Sequence, residues 1–279
     1  PSNVPTNFVY SLFFGLLSGN SNIVKISSEN SKEKSIIISI LKNIFDKPKY
    51  KVLKNSNILT EYKAINTRNT EIFSSVCDAR VIWGGNKAIN DIRKFWIPER
   101  SIDITFADRY SISMINLEIL KNLNLNNLKI LAKKFYYDSY LMNQAACNSP
   151  HFVFWVGKKN SKLQNAFWKE LNDVVENNFI FDDIHIMDKY TNLMKNIIEH
   201  DKFNKINMYK NNLYVIDINQ KVNTIENIRG KNGAFFQKNI NNLLKIKKFI
   251  SKKCQTLTSV SYTHLRAHET DSYLVCRLL

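Results

Sequence analysis

The chain has 279 residues, 44% of them hydrophobic, and a formal net charge of +16. That length suffices for two modest domains or one large one. The charge invites a nucleic-acid reading, but 32 of the 40 basic residues are lysines scattered along the chain and arginine is scarce. The balance fits a solvated lysine surface, and no nucleic-acid partner is expected. No run approaches the ~18 apolar residues of a membrane helix, so no membrane span is expected.

In chain order, Phe8 to Leu17 is apolar and aromatic and reads as a buried helix ended by Ser18-Gly19-Asn20. Asn22 to Ile26 is a short strand, and a helix follows over about Lys32 to Phe45, with Ser27-Ser28-Glu29 as its cap. Asp78 to Trp83 is a strand that stops at Gly84-Gly85, and the helix Lys87 to Lys94 comes next. Ser101 to Phe106 and Tyr110 to Ile115 look extended, and a helix over about Leu128 to Met142 leads into Gln144. After Pro150 come a strand (Phe152 to Val156), a helix (Ser161 to Asn177), a helix (Asp188 to Glu199) and a strand (Leu213 to Ile218), then Phe235-Phe236 and Leu243 to Ile250. This alternation predicts an α/β protein with a parallel, doubly wound sheet.

Both ends are unusual. Pro1 to Pro5 has no initiator Met, and the chain reads as an internal fragment truncated at both ends. Val260 to Thr270 resembles a translation of a sequencing-library adapter, and Leu274 to Leu279 resembles the primer beyond it, so residues 259–279 are expected to be a non-native tail. Three cysteines then remain, Cys77, Cys147 and Cys254. Their odd number and wide spacing indicate neither a disulfide framework nor a zinc site, and a reducing cytoplasm fits.

Two places carry chemistry. Strand, Gly84-Gly85, helix brings backbone N–H groups and a helix N-terminus to where a phosphate could sit, and a mere tight turn accounts for it as well. Cys147 lies in Gln144-Ala-Ala-Cys-Asn-Ser-Pro150. Small neighbours leave room for a carbonyl to reach its sulfur, although most lone intracellular cysteines are inert. His151 reads as a core or surface histidine, and Cys77 and Cys254 as passive.

The order of the pieces resembles the aldehyde dehydrogenase superfamily. Pro1-Ser-Asn-Val-Pro5, Leu17-Ser-Gly-Asn20, Val81-Ile-Trp-Gly-Gly85, Thr105-Phe-Ala-Asp-Arg-Tyr-Ser111, Asp138 to Pro150 and Cys254-Gln-Thr-Leu-Thr258 resemble one branch more closely, the LuxC-type acyl-CoA or acyl-protein reductases, known from luminous bacteria. The resemblance implies an aldehyde dehydrogenase-like fold: a doubly wound, mostly parallel NADP(H)-binding domain over 1–142 and an α/β catalytic domain over 143–258. It implies that Cys147 accepts an acyl group from a thioester, that the side-chain amide of Asn3 and the backbone N–H of Cys147 hold the oxyanion, and that hydride from a nicotinamide releases an aldehyde. Losing one oxyanion donor costs on the order of a hundredfold in rate.

Lys25 matches the lysine that holds the adenosine ribose, and Ser28 stands where NAD-preferring relatives often carry Glu, so NADPH is the expected cofactor. No match to the superfamily's water-activating Glu is clear, which argues against the competing reading of an aldehyde-oxidising dehydrogenase. The implied partners are an acyl-CoA or acyl-protein donor, acyl-transferring or synthetase subunits, and further copies of the intact chain.

Overall fold

A computed structural model describes residues 6–28, 31–199, 203–219, 222 and 224–260, and the backbone of Val275–Leu278. The described residues form two compact units that divide between Asp108 and Arg109.

The first unit alternates helix and strand. Helix α1 (Asn7–Leu17) closes at Ser18 and Gly19, the glycine taking the left-handed conformation that ends helices at low cost (φ 72°). Strand β1 (Asn22–Ile26) leads to α2 (Lys32–Phe45), then α3 (Lys51–Ser56) and β2 (Asn57–Glu61). Helix α4 (Thr67–Ser75), β3 (Ala79–Trp83), α5 (Asn86–Arg93) and β4 (Ile102–Phe106) complete the unit. Strands β1 and β2 pair in parallel, as do β3 and β4, in two separate ladders. The single doubly wound sheet expected here is therefore two parallel ribbons among the described residues. Arg80 ties the second ribbon together through two hydrogen bonds to Asp103 (2.7 and 3.0 Å), a fork-to-carboxylate geometry stronger than a neutral pair.

Two local expectations change. Ser31, not the Ser27–Glu29 stretch, caps α2: its hydroxyl accepts from the Lys34 N–H at 3.1 Å. Helix α1 buries only Leu12, while Tyr10, Phe13, Phe14 and Leu17 are each at least half exposed. A helix apolar all round reads as buried, but this unit by itself supplies cover for one side only.

The second unit opens with β5 (Tyr110–Asn116), α6 (Leu117–Asn122) and α7 (Leu125–Ser139), followed by β6 (Pro150–Val156), α8 (Ser161–Asn178) and α9 (Asp183–Glu199). Strands β7 (Phe203–Tyr209), β8 (Leu213–Ile218), β9 (Ala234–Ile240), β10 (Cys254–Val260) and β11 (Val275–Leu278) follow, with a 3-10 helix at Leu243–Phe249. They form one seven-stranded sheet in the order β11-β10-β5-β6-β9-β8-β7, parallel except for the β7–β8 pair. Strand β11 lies within the stretch expected to be a non-native tail, where its backbone pairs along β10.

Alternation along the strands gives the sheet two apolar faces, each covered. Ile112, Phe152, Phe154, Ile216 and Phe236 face α9 and the 3-10 helix. Ile115, Val153, Trp155, Val215 and Phe235 face α7 and α8 through Phe135, Phe167 and Trp168. A parallel sheet covered on both faces needs near-continuous apolar strands, and Phe152 to Val156 is such a run. Because β5 pairs with both β6 and β10 and α7 packs on α8, residues 109–142 belong to this core. The units therefore divide ahead of β5, earlier than the expected boundary at residues 142/143.

Candidate active site

Cys147 lies in the turn that joins α7 to β6, and it is exposed. The turn begins with two residues in the left-handed region, Asn143 (φ 49°) and Gln144 (φ 60°). Asparagine tolerates that region; glutamine adopts it against a steric cost. Its side chain accounts for the conformation. The Gln144 amide is buried, its Nε2 donates to the carbonyls of Pro150 and Ala234 at 3.0 Å each, and its Oε1 accepts from the Gly233 N–H at 3.0 Å. Pro150 opens β6 and has no N–H to offer a neighbouring strand. The Gln144 amide takes that place between β6 and β9.

Other groups hold the remainder of the turn. The Ser111 hydroxyl, on β5, donates to the Cys147 carbonyl at 2.5 Å. The Ser149 N–H donates to Ala146 at 3.0 Å. His151 sets its Nδ1 2.7 Å from the Gly230 carbonyl, which directs its ring to the loop before β9. Gly230 and Gly233 make the close approach possible. A Cβ on Gly230 would lie 1.8 Å from the Ala234 carbonyl oxygen, and one on Gly233 (φ 89°) 2.5 Å from that of Asn212. The Tyr140 hydroxyl, at the end of α7, donates to Asn212 at 3.1 Å. The turns bearing Cys147 and Gly230 thus meet at the end of the sheet where β6 and β9 begin. Asn3, the expected oxyanion partner, lies outside the described residues.

The other cysteines are built differently. Cys254 is buried beside Arg229, and burial pushes its thiol up to about 12. Cys77 is half-buried, its thiol donates to the Ser74 carbonyl at 3.3 Å, and burial raises its pKa. Both stay thiols near neutrality, and the thiolate is the nucleophile.

The expected cofactor residues lie in the first unit. Lys25 is exposed on β1, with its ammonium 4.5 Å from the centre of the Tyr62 ring, and partial burial lowers its pKa. Ser28 is exposed in the bend after β1. Gly84 and Gly85 join β3 to α5. Gly85 caps α5 without any side-chain cap hydrogen bond, and a Cβ there would meet nothing within 4 Å. An open, uncapped helix N-terminus of this kind fits a phosphate. Among the described residues, no three His, Cys, Asp or Glu side chains are placed to hold a metal ion. No helix among them is long and apolar enough to cross a membrane.

Gln144 and Ser111 stand in the motifs of the sequence without an expected role, and Gly230 and Gly233 lie outside those motifs. The glycines carried a signal. The chain has only seven, so a pair three residues apart marks backbone that must be approached closely.

Solved structures with this fold define the class. The chain superposes on the Escherichia coli NADP dependent enzyme with a TM-score of 0.69 at 8% identity, covering 100% of this chain and 60% of that one. It superposes on a NAD-dependent benzaldehyde dehydrogenase from Corynebacterium glutamicum with a TM-score of 0.66 at 11% identity, covering 99% and 63%. For the aldehyde dehydrogenase KauB from Pseudomonas aeruginosa the values are 0.65 at 14% identity, covering 100% and 59%. The chain spans about 60% of the length of these structures. Its fold is the aldehyde dehydrogenase-like α/β fold.

The acyl-CoA reductase (LuxC) family matches residues 1–199. The chain belongs to that family. Among curated proteins, none matches it.

Proposed function

We propose that the protein reduces an acyl thioester to an aldehyde through an acyl group held on Cys147, with NADPH as the hydride source. The observation that carries the reading is the placement of Cys147. It is the exposed cysteine among Cys77, Cys147 and Cys254, and Gln144 and Ser111 fix its turn by four hydrogen bonds. A nucleophile held in one geometry before substrate arrives needs less ordering to reach the transition state.

The chemistry balances in two stages. The Cys147 thiolate adds to the thioester carbonyl, the carbon–sulfur bond to the carrier breaks, and the carrier leaves as a thiolate that takes up a proton. Cys147 then bears the acyl group as a thioester. The nicotinamide, when bound, supplies a hydride to that carbonyl carbon. Breaking the bond to Cys147 frees the aldehyde and restores the thiolate. The Cys147 N–H and the Asn3 amide would stabilise the oxygen anion formed in each stage.

In the first unit, the α5 N-terminus at Gly84-Gly85 would take the dinucleotide phosphates, and Lys25 the adenosine ribose. Ser28 offers no carboxylate to repel a 2′-phosphate. The intact enzyme should therefore show a higher kcat/KM with NADPH than with NADH when aldehyde formation is followed at saturating acyl thioester. A ratio at or below one sinks the NADPH assignment.

A further inference from the structure

We infer that the segment Leu243–Lys253 recognises the phosphate-bearing end of a pantetheine-type arm that delivers the acyl thioester to Cys147. The inference rests on the thioester reading above and adds the place where the carrier is held.

The lysines of this chain are scattered, apart from two dense runs, residues 47–54 in the first unit and residues 243–253 in the second, the unit that carries Cys147. Residues 243–253 read Leu-Leu-Lys-Ile-Lys-Lys-Phe-Ile-Ser-Lys-Lys, with five lysines and no carboxylate. The 3-10 helix Leu243–Phe249 has three residues per turn, so residues three apart lie in one row. Leu243, Ile246 and Phe249 form the inward row, packed into the core. Lys245 and Lys248 form a second row and Lys247 lies on the third; all three are exposed, as is Lys252. Among the described residues, no carboxylate lies within ion-pair distance of these four. Lys253 alone has such a neighbour, Glu226 at 3.8 Å.

The lysines stand on a fixed base. The Phe249 ring packs on Phe154 with centroids 5.0 Å apart. The Tyr110 hydroxyl donates to the Phe249 carbonyl at 2.6 Å and accepts from the Ser251 N–H at 3.1 Å, and the Tyr110 N–H donates to the Lys253 carbonyl at 3.0 Å. Arg229 stacks over the Tyr110 ring at 4.8 Å. The residue after Tyr110 is Ser111, whose hydroxyl holds the Cys147 carbonyl. Adjacent residues of β5 therefore grip the basic segment and the nucleophile's turn.

Strands β10 and β6 flank β5, so their first residues lie two strand spacings apart, about 10 Å. The basic segment runs into β10 and the Cys147 turn runs into β6, so a pantetheine arm with its thioester at Cys147 would extend toward the lysines. Exposed lysines spread over a rigid surface attract a polyanion at long range and lose that attraction as salt screens it.

The test is acylation of the full chain by three decanoyl thioesters: of coenzyme A, of a purified acyl carrier protein and of N-acetylcysteamine, which has no phosphate. The variant is Lys247→Ala/Lys248→Ala/Lys252→Ala, at exposed positions outside the nucleophile's turn. The inference predicts that the variant loses at least about tenfold in acylation efficiency with a phosphate-bearing donor and keeps wild-type efficiency with the N-acetylcysteamine thioester. Loss with the coenzyme A donor alone assigns the surface to a free nucleotide carrier, and loss with the protein donor alone to a protein-borne arm. Unchanged acylation by all three donors, or equal loss with all three, overturns it. If no donor acylates the wild-type chain, the thioester reading itself has failed and takes the inference with it.

Discussion

Gln144 and Lys189 are buried for different purposes, and each makes a prediction. All the hydrogen-bonding groups of the Gln144 amide face backbone: the carbonyls of Pro150 and Ala234 and the N–H of Gly233. Gln144→Met keeps the volume and removes the partners. An unmade buried hydrogen bond costs about 1–3 kcal/mol. The left-handed backbone at Gln144 then lacks its compensation. The substitution should lower stability by about 2–4 kcal/mol in urea unfolding and slow acyl labelling of Cys147. NADPH binding, proposed for the first unit, should hardly change.

Lys189, on α9, is fully buried and donates to the Asn211 carbonyl, with the Phe181 and Tyr214 rings at 4.3 and 4.7 Å. Burial lowers its pKa from 10.5 to about 8. Between those values the folded chain binds fewer protons at this site than the unfolded chain, so its contribution to stability rises with pH. Above pH 9 the raised Cys254 thiol works the other way, because its proton stays on in the folded state. The window that isolates Lys189 is thus pH 8 to 9. The urea midpoint of the wild type should move up across that window more than that of Lys189→Met. Parallel movement of the two would contradict the assignment.

At the scale of the elements, β9 is joined to β6 and α8 by one amide. Trp155 and Trp168 both donate their indole N–H to the Gln237 Oε1 at 2.7 Å, and the Gln237 amide in turn reaches Asp217 on β8. Gln237→Leu fills similar space and leaves two buried indole donors without an acceptor. It should cost about 2–5 kcal/mol by the same rule, readable as a lower thermal midpoint with unchanged sheet content by circular dichroism.

The elements legible in the sequence are those whose periodicity matches their burial. Helix α2, helix α8 and strand β8 fall within a residue of their expected positions, since each carries an apolar pattern of one period and a turn or cap at its end. Strand β2, Asn-Ile-Leu-Thr-Glu, follows α3 with no turn residue between them. Strand β7 mixes Asn and Lys into an edge position. Neither presents a clean period of two. Helix α9 begins at Asp183, earlier than expected, because its first five residues show Ile184 and Met187 to solvent and so lack a buried face to read. For the candidate site, the small residues around Cys147 were legible. The Gln144 clamp was not, because it depends on Pro150, Gly233 and Ala234 meeting across a turn and a sheet edge.

For the whole molecule, Cys147 belongs to the second unit, and Lys25, Ser28, Gly84 and Gly85 belong to the first. That division matches the two tasks of the proposed reaction, covalent capture of an acyl group and binding of a hydride donor. Everything else in the account depends on the capture step at one sulfur. The most direct measurement is acyl labelling of the chain by a radioactive acyl thioester without nicotinamide, followed by peptide mapping. One label is expected, on the peptide that contains Cys147, and none on Cys147→Ala. A label that persists in Cys147→Ala, or that maps to Cys77 or Cys254, would contradict it.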